Sequence, residues 1–69
     1  MNVIFAERLR DLRKEKGLSQ DELAKVLNLT QRKISYMETG QYEPDLKTLW
    51  EISNYFEVSC DYLIGKSEI

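Results

Sequence analysis

The sequence predicts an all-α protein built from five short helices. Apolar residues recur at helical spacing along the whole chain, and no run of alternating β-branched residues interrupts them. Side chains suited to helix N-caps (Ser19, Thr30, Asp45 and Ser59) open four of these stretches. Residues that tolerate left-handed backbone (Gly17, Asn28, Gly40 and Gly65) close four.

Phe5, Leu9 and Leu12 recur at i, i+4 and i+7, which gives a first helix over about residues 3 to 16. Lys14 and Lys16 suit its C-terminal end, and Gly17 stops it. "SQDE" reads as a capping box, with Ser19 the cap and Glu22 reaching back. Leu23, Ala24 and Leu27 line one face of this second helix, Asn28 ends it and Leu29 anchors the turn. Thr30 caps a third helix that runs to Met37 or Glu38, and Gly40 ends it. "QYEP" is a loop, because Pro44 disfavours helix at Glu43. Asp45 caps the fourth helix, whose inner stripe is Leu46, Leu49, Ile52, Ser53 and Phe56. Ser59 caps a last short helix, which folds Tyr62, Leu63 and Ile64 onto the core.

Composition narrows the function classes. With 69 residues and 42% apolar content, the chain is one small globular domain spanning residues 1–69. There is no histidine, so the commonest general base and the commonest metal ligand are both missing. No glycine-rich phosphate loop is present, Cys60 is the lone cysteine, and no stretch would span a membrane. No catalytic residue, metal or cofactor is expected, and the setting is cytoplasmic. Whole-chain charge is −2, which argues against nucleic acid. Its distribution argues otherwise. Residues 1–33 carry eight Lys/Arg against five Asp/Glu, whereas residues 34–69 carry two against seven.

Residues 19–38 carry the spacing of a helix-turn-helix. Two helices crossing steeply over a short turn need a small side chain near the crossing, here Ala24, and a residue able to take positive φ, here Asn28. Leu23, Leu27, Leu29, Ile34 and Met37 bury the inner sides. With Ile34 at zero and about 100° per residue, Arg32 falls near ~160°, Tyr36 near ~200° and Thr39 near ~140°. These lie opposite the core. Gln31 and Arg32 sit in the first turn, where a recognition helix meets base edges in the major groove. Arginine forks onto guanine and glutamine onto adenine. Tyr36 offers a ring to a thymine methyl, and Thr30, Lys33 and Thr39 suit phosphates.

The segments "GLSQDELA", "ISYMETG" and "VSCDYLIG" resemble the DNA-binding domains of phage repressors and Cro, in the xenobiotic-response-element (XRE) type of helix-turn-helix regulators. The resemblance runs from about Phe5 to Gly65. It implies a compact five-helix, lambda-repressor-like domain with the DNA-binding unit at the second and third helices. It implies base contacts from Gln31, Arg32 and Tyr36. Phosphate or edge contacts would come from Gln20, Thr30, Lys33, Thr39, Gln41 and Tyr42. The family also pairs an arginine of the first helix with the glutamate ending the third, here Arg13 and Glu38. Two positions depart from the pattern. The turn carries Asn28 where glycine is frequent, and the loop after Gly40 reads Gln41-Tyr42-Glu43 where Lys or Arg is frequent.

Trp50, Tyr55 and Val58 flank the inner stripe of the fourth helix and are candidates for a homodimer contact. The family's dimers use the segment that is Glu57 to Tyr62 here, which adds Cys60 and Asp61. Two-fold pairing would set two recognition helices one DNA turn apart, roughly 34 Å, on a palindromic operator. The Lys/Arg run of the first helix, mixed with Glu7, Asp11 and Glu15, reads as a solvated face with i,i+4 pairs. The expected function is a sequence-specific double-stranded DNA-binding regulator, a repressor, with no small-molecule ligand and no effector domain. The rival is an antitoxin-like or adaptor module that binds a protein through its acidic half and Trp50.

Overall fold

The computed structural model describes residues 3–68. Among them are five helices and no strand: α1 (Val3–Glu15), α2 (Gln20–Leu27), α3 (Gln31–Glu38), α4 (Leu46–Phe56) and α5 (Cys60–Ile64). α1 packs on α3 and α5, α2 on α3 and α4, and α4 on α5. Leu9, Leu23, Ile34, Met37, Ile52 and Leu63 are fully buried, so every helix supplies at least one anchor to a single core. Ala24 is buried within that core, as the α2–α3 crossing requires.

Side chains cap four helix starts. The hydroxyls of Ser19, Thr30 and Ser59 accept from the N–H groups of Glu22, Lys33 and Tyr62, and the Asp45 carboxylate accepts from Thr48 N–H at 2.8 Å. The α2 capping box is complete, since Ser19 N–H donates to Glu22 Oε1 at 2.8 Å. That hydrogen bond holds the Glu22 carboxyl below its ordinary value, and the Thr48 N–H does the same for Asp45. A depressed folded value stabilises the fold above the unfolded pKa. The contribution is lost as pH falls through the folded value. Carboxyl 13C NMR should place both midpoints below the usual carboxylate range; an ordinary midpoint for Glu22 would mean an open capping box.

All five helices end in the same way. Gly17, Asn28, Gly40, Glu57 and Gly65 have φ of 71°, 58°, 78°, 56° and 89°. The next residue's N–H reaches back to a carbonyl one turn inside, as in Leu29 N–H to Ala24 O at 2.8 Å and Val58 N–H to Ser53 O at 3.0 Å. Glu57 is the exception in chemistry, because a glutamate takes the left-handed conformation at a cost of about 1 kcal/mol. Glu57→Gly should therefore raise the melting temperature by a few degrees in a thermal melt, and a lower value would contradict this reading.

Two expectations change. Leu46 is 85% exposed and does not belong to the inner stripe of α4. It is the first residue of the helix, so it lies past the end of the core that Leu49, Ile52, Ser53 and Phe56 reach. The basic run of α1 is also not simply a solvated face with i,i+4 pairs. Arg8 donates through Nη1 to the carbonyls of Tyr62 and of Ser67 (2.8 Å), and its guanidinium lies 4.2 Å from the centroid of the Tyr62 ring. Arg13 pairs with Glu38, and the i,i+4 ion pair among the described residues is Asp21–Lys25 in α2. Arg8 and Arg13 act as long-range ties because α3, α5 and the residues after α5 present acceptors to them.

Candidate nucleic-acid interface

α3 is held by its inner face and open on its outer one. Ile34 and Met37 are fully buried, and Thr30 fixes the first turn by accepting from Lys33 N–H at 3.1 Å. Gln31, Arg32, Lys33, Tyr36 and Thr39 are exposed. Arg32 makes no ion pair or hydrogen bond among the described residues, so its guanidinium fork is available to a ligand. Glu38, the acid of α3, is buried and paired with Arg13, so the helix's exposed charges are both positive.

The Arg13–Glu38 pair joins α1 to α3 bidentately. Nε donates to Glu38 Oε2 at 2.6 Å and Nη2 to Oε1 at 3.0 Å, while Nη1 donates to Leu18 O at 2.8 Å. These bonds to Glu38 outweigh the desolvation of the guanidinium and raise the Arg13 pKa above its ordinary value. The pair expected from the resemblance is thus formed between α1 and α3, and it fixes the C-terminal end of α3 against α1.

The expected phosphate or edge residues divide. Thr30 is exposed at the tip of α3, and Lys33 and Tyr42 form one unit, with Nζ 5.5 Å from the ring centroid. The Thr39 hydroxyl donates to Ser35 O at 3.0 Å and accepts from Gln41 Nε2 at 3.1 Å, so these two side chains close the end of α3. Gln20 is half-buried. Its Nε2 donates to Glu38 Oε1 at 3.1 Å and its Oε1 accepts from Gln31 Nε2 at 2.6 Å. These bonds connect α2 to both ends of α3, and helical spacing gives no sign of them.

The dimer candidates also divide. Trp50 is 61% exposed, and Glu57 and Asp61 are exposed. Tyr55, Val58, Cys60 and Tyr62 are half-buried. The Tyr55 ring meets Phe56 edge-on at 5.0 Å and carries Lys16 Nζ at 4.9 Å, while Tyr62 carries Arg8. Leu46, one turn before Trp50, joins it as an exposed apolar residue that stripe reasoning assigned to the core. A recess of about 190 Å³ is lined by Phe5, Glu43, Pro44, Leu49 and Ile64, which are none of the residues above. Among the described residues no cluster of acids and cysteine suits a metal, and no helix is long and apolar enough to cross a membrane.

Known proteins resemble this chain in sequence and fold. The HTH-type transcriptional regulator YonR, prophage-derived, of Bacillus subtilis is 44% identical over 61 residues, covering 88% of this chain and 56% of YonR. The chain spans about half the length of the curated relatives it matches. The crystal structure of the P22 c2 repressor with a synthetic operator superposes with a TM-score of 0.86 at 30% identity, covering 93% of this chain and 97% of that one. The fold also forms part of hydroxypropylphosphonic acid epoxidase from S. wedmorenis, with a TM-score of 0.82 at 28% identity, covering 91% of this chain and 34% of that one. Fold alone therefore does not decide chemistry. The family profile described as "Helix-turn-helix" matches residues 9–63, and with the turn at Asn28, the open face of α3 and these relatives, the chain belongs to the helix-turn-helix family of transcriptional regulators.

Proposed function

We propose that this chain is a cytoplasmic, sequence-specific double-stranded DNA-binding regulator, a repressor, that lays α3 in the major groove. The observation that carries this reading is the outer face of α3. Gln31, Arg32 and Tyr36 project together from a helix locked by Ile34, Met37 and the Arg13–Glu38 clamp. A helix fixed in place before binding loses little backbone freedom on binding, which suits base contacts. Lys33 and Tyr42, with Thr30, Thr39 and Gln41, flank that face and serve phosphates, which fix register without reading sequence. The chain acts as a homodimer on a palindromic operator, with Trp50 on α4 as the exposed aromatic of the dimer contact and the Glu57–Tyr62 segment beside it.

Selection from random duplex DNA tests the reading. It should enrich one two-fold symmetric sequence, and binding to it should weaken steeply as salt rises. No enrichment at low salt would overturn the DNA reading. Sedimentation equilibrium tests the dimer. Trp50→Glu should lower the dimer fraction and weaken operator binding, whereas an unchanged mass would place the contact elsewhere.

A further inference from the structure

We propose that Tyr42 is a positioning residue whose ring seats the Lys33 side chain on the flank of α3, aiming its ammonium at a phosphate and keeping it off the base edges that Arg32 meets. The inference rests on α3 reading DNA and sharpens the part of Tyr42, which acts through Lys33.

The fold brings the two residues together across a chain reversal. Gly40 takes φ of 78°, and Gln41 N–H donates to Tyr36 O at 2.8 Å, so the chain turns back at the end of α3. The loop then runs beside α3 toward its first turn, where Lys33 Nζ lies 5.5 Å from the centroid of the Tyr42 ring. The Asp45 carboxylate, held below its ordinary pKa mainly by the Thr48 N–H, also feels the Lys33 charge. The Lys33 backbone is fixed, because its N–H donates to the Thr30 hydroxyl at 3.1 Å. What stays free is a long, flexible stem.

Direction decides what that stem does. Lys33 lies about 100° around the helix from Ile34 and about 100° from Arg32. It therefore stands on the flank, between the core and the outer face. Swung outward, its ammonium would reach guanine O6 and N7, a second cation on the edges that Arg32 forks onto. The loop draws it the other way. A ring face attracts a cation through its quadrupole at this distance. Residues 41–45 include Glu43 and Asp45 and no Lys or Arg, so the loop offers no repulsion. Tyr42 is 37% exposed, so most of its surface is covered and the ring cannot follow the ammonium outward. Lysine loses much rotamer freedom when fixed on a phosphate, and a seat occupied before binding removes part of that cost. Phosphate contacts set register without reading sequence, so the seat separates two neighbours: Arg32 reads and Lys33 anchors.

Operator selection and competition binding with the full chain test this. Tyr42→Phe keeps the ring, and Tyr42→Leu keeps apolar bulk without a quadrupole. Tyr42→Phe should match the wild type in affinity, salt slope and enriched sequence. Tyr42→Leu should weaken binding to the wild-type operator about threefold. It should also add a guanine preference beside the base pair that Arg32 reads. Neither effect should appear in a Lys33→Ala background. In the free protein, proton NMR should show the Lys33 ε-methylene shifted upfield by the ring in the wild type and Tyr42→Phe, and unshifted in Tyr42→Leu. A Tyr42→Phe loss equal to that of Tyr42→Leu would make the hydroxyl a phosphate ligand and overturn the inference. A Tyr42→Leu loss that persists without Lys33, an unchanged base preference in Tyr42→Leu, or an absent ring shift overturns it as well. All of these leave the DNA reading standing. A wild type that enriches no sequence overturns both.

Discussion

Glu38→Ala will destabilise the fold by about 3–5 kcal/mol, the usual consequence of removing one partner from a buried ion pair. The side chains of Arg13 and Glu38 are 11% and 3% exposed, so water cannot replace the lost carboxylate. Arg13 would keep a charge in a poorly hydrated site with only the Leu18 carbonyl as acceptor. A core this small supplies only about 3–5 kcal/mol in total, so most molecules should be unfolded at 37 °C. Urea denaturation followed by circular dichroism measures the loss. The pair itself adds little net stability, because its attraction is set against the desolvation of two charges. Removing both partners, as in Arg13→Met with Glu38→Leu, should recover most of the stability. A Glu38→Ala loss below about 1 kcal/mol would mean that the pair is hydrated in solution like a surface bridge.

Arg32→Ala should weaken operator binding by about 1–3 kcal/mol and relax preference at a single base pair, with little change in stability. Arg32 is exposed in the first turn of α3, and nothing among the described residues holds its guanidinium. A guanidinium forks onto guanine O6 and N7, and one such bidentate contact supplies that discrimination. Lys33→Ala is the control. Its ammonium sits with Tyr42 at the edge of the face, so its loss should weaken binding equally for all sequences and reduce the salt slope by about one. A uniform loss for Arg32→Ala would reassign Arg32 to the phosphates.

Local rules made much of the fold legible. Cap residues and left-handed residues mark helix ends through their own backbone chemistry, so Ser19, Asn28, Thr30, Asp45, Ser59 and Gly65 declared the helix ends. Glu57 did not, because nothing in a glutamate advertises positive φ; the packing of Val58 against the core imposes it. Leu46 misled for a related reason. Periodicity assigns a face but does not say where the core stops. At the interface, helical angles placed Arg32 and Tyr36 outside, as the structure has them. The chain of bonds from Arg13 to Gln31 was hidden, because it links residues 25, 18 and 11 positions apart through contacts that exist only once the helices are packed.

The Arg8 tie to Ser67 has a topological meaning. Arg8 binds a carbonyl beyond α5, and Ile4 fills the space where a Cβ on Gly65 would fall, 2.9 Å from Ile4 Cδ1. The first turn of α1 and the residues after α5 are neighbours, so the chain enters and leaves the fold through one doorway. Splicing such a unit into a host protein, or closing the ends with a short linker and reopening the loop between α3 and α4, adds little loop-closure entropy. A circular permutant opened there should keep the helix-turn-helix unit intact as one continuous segment.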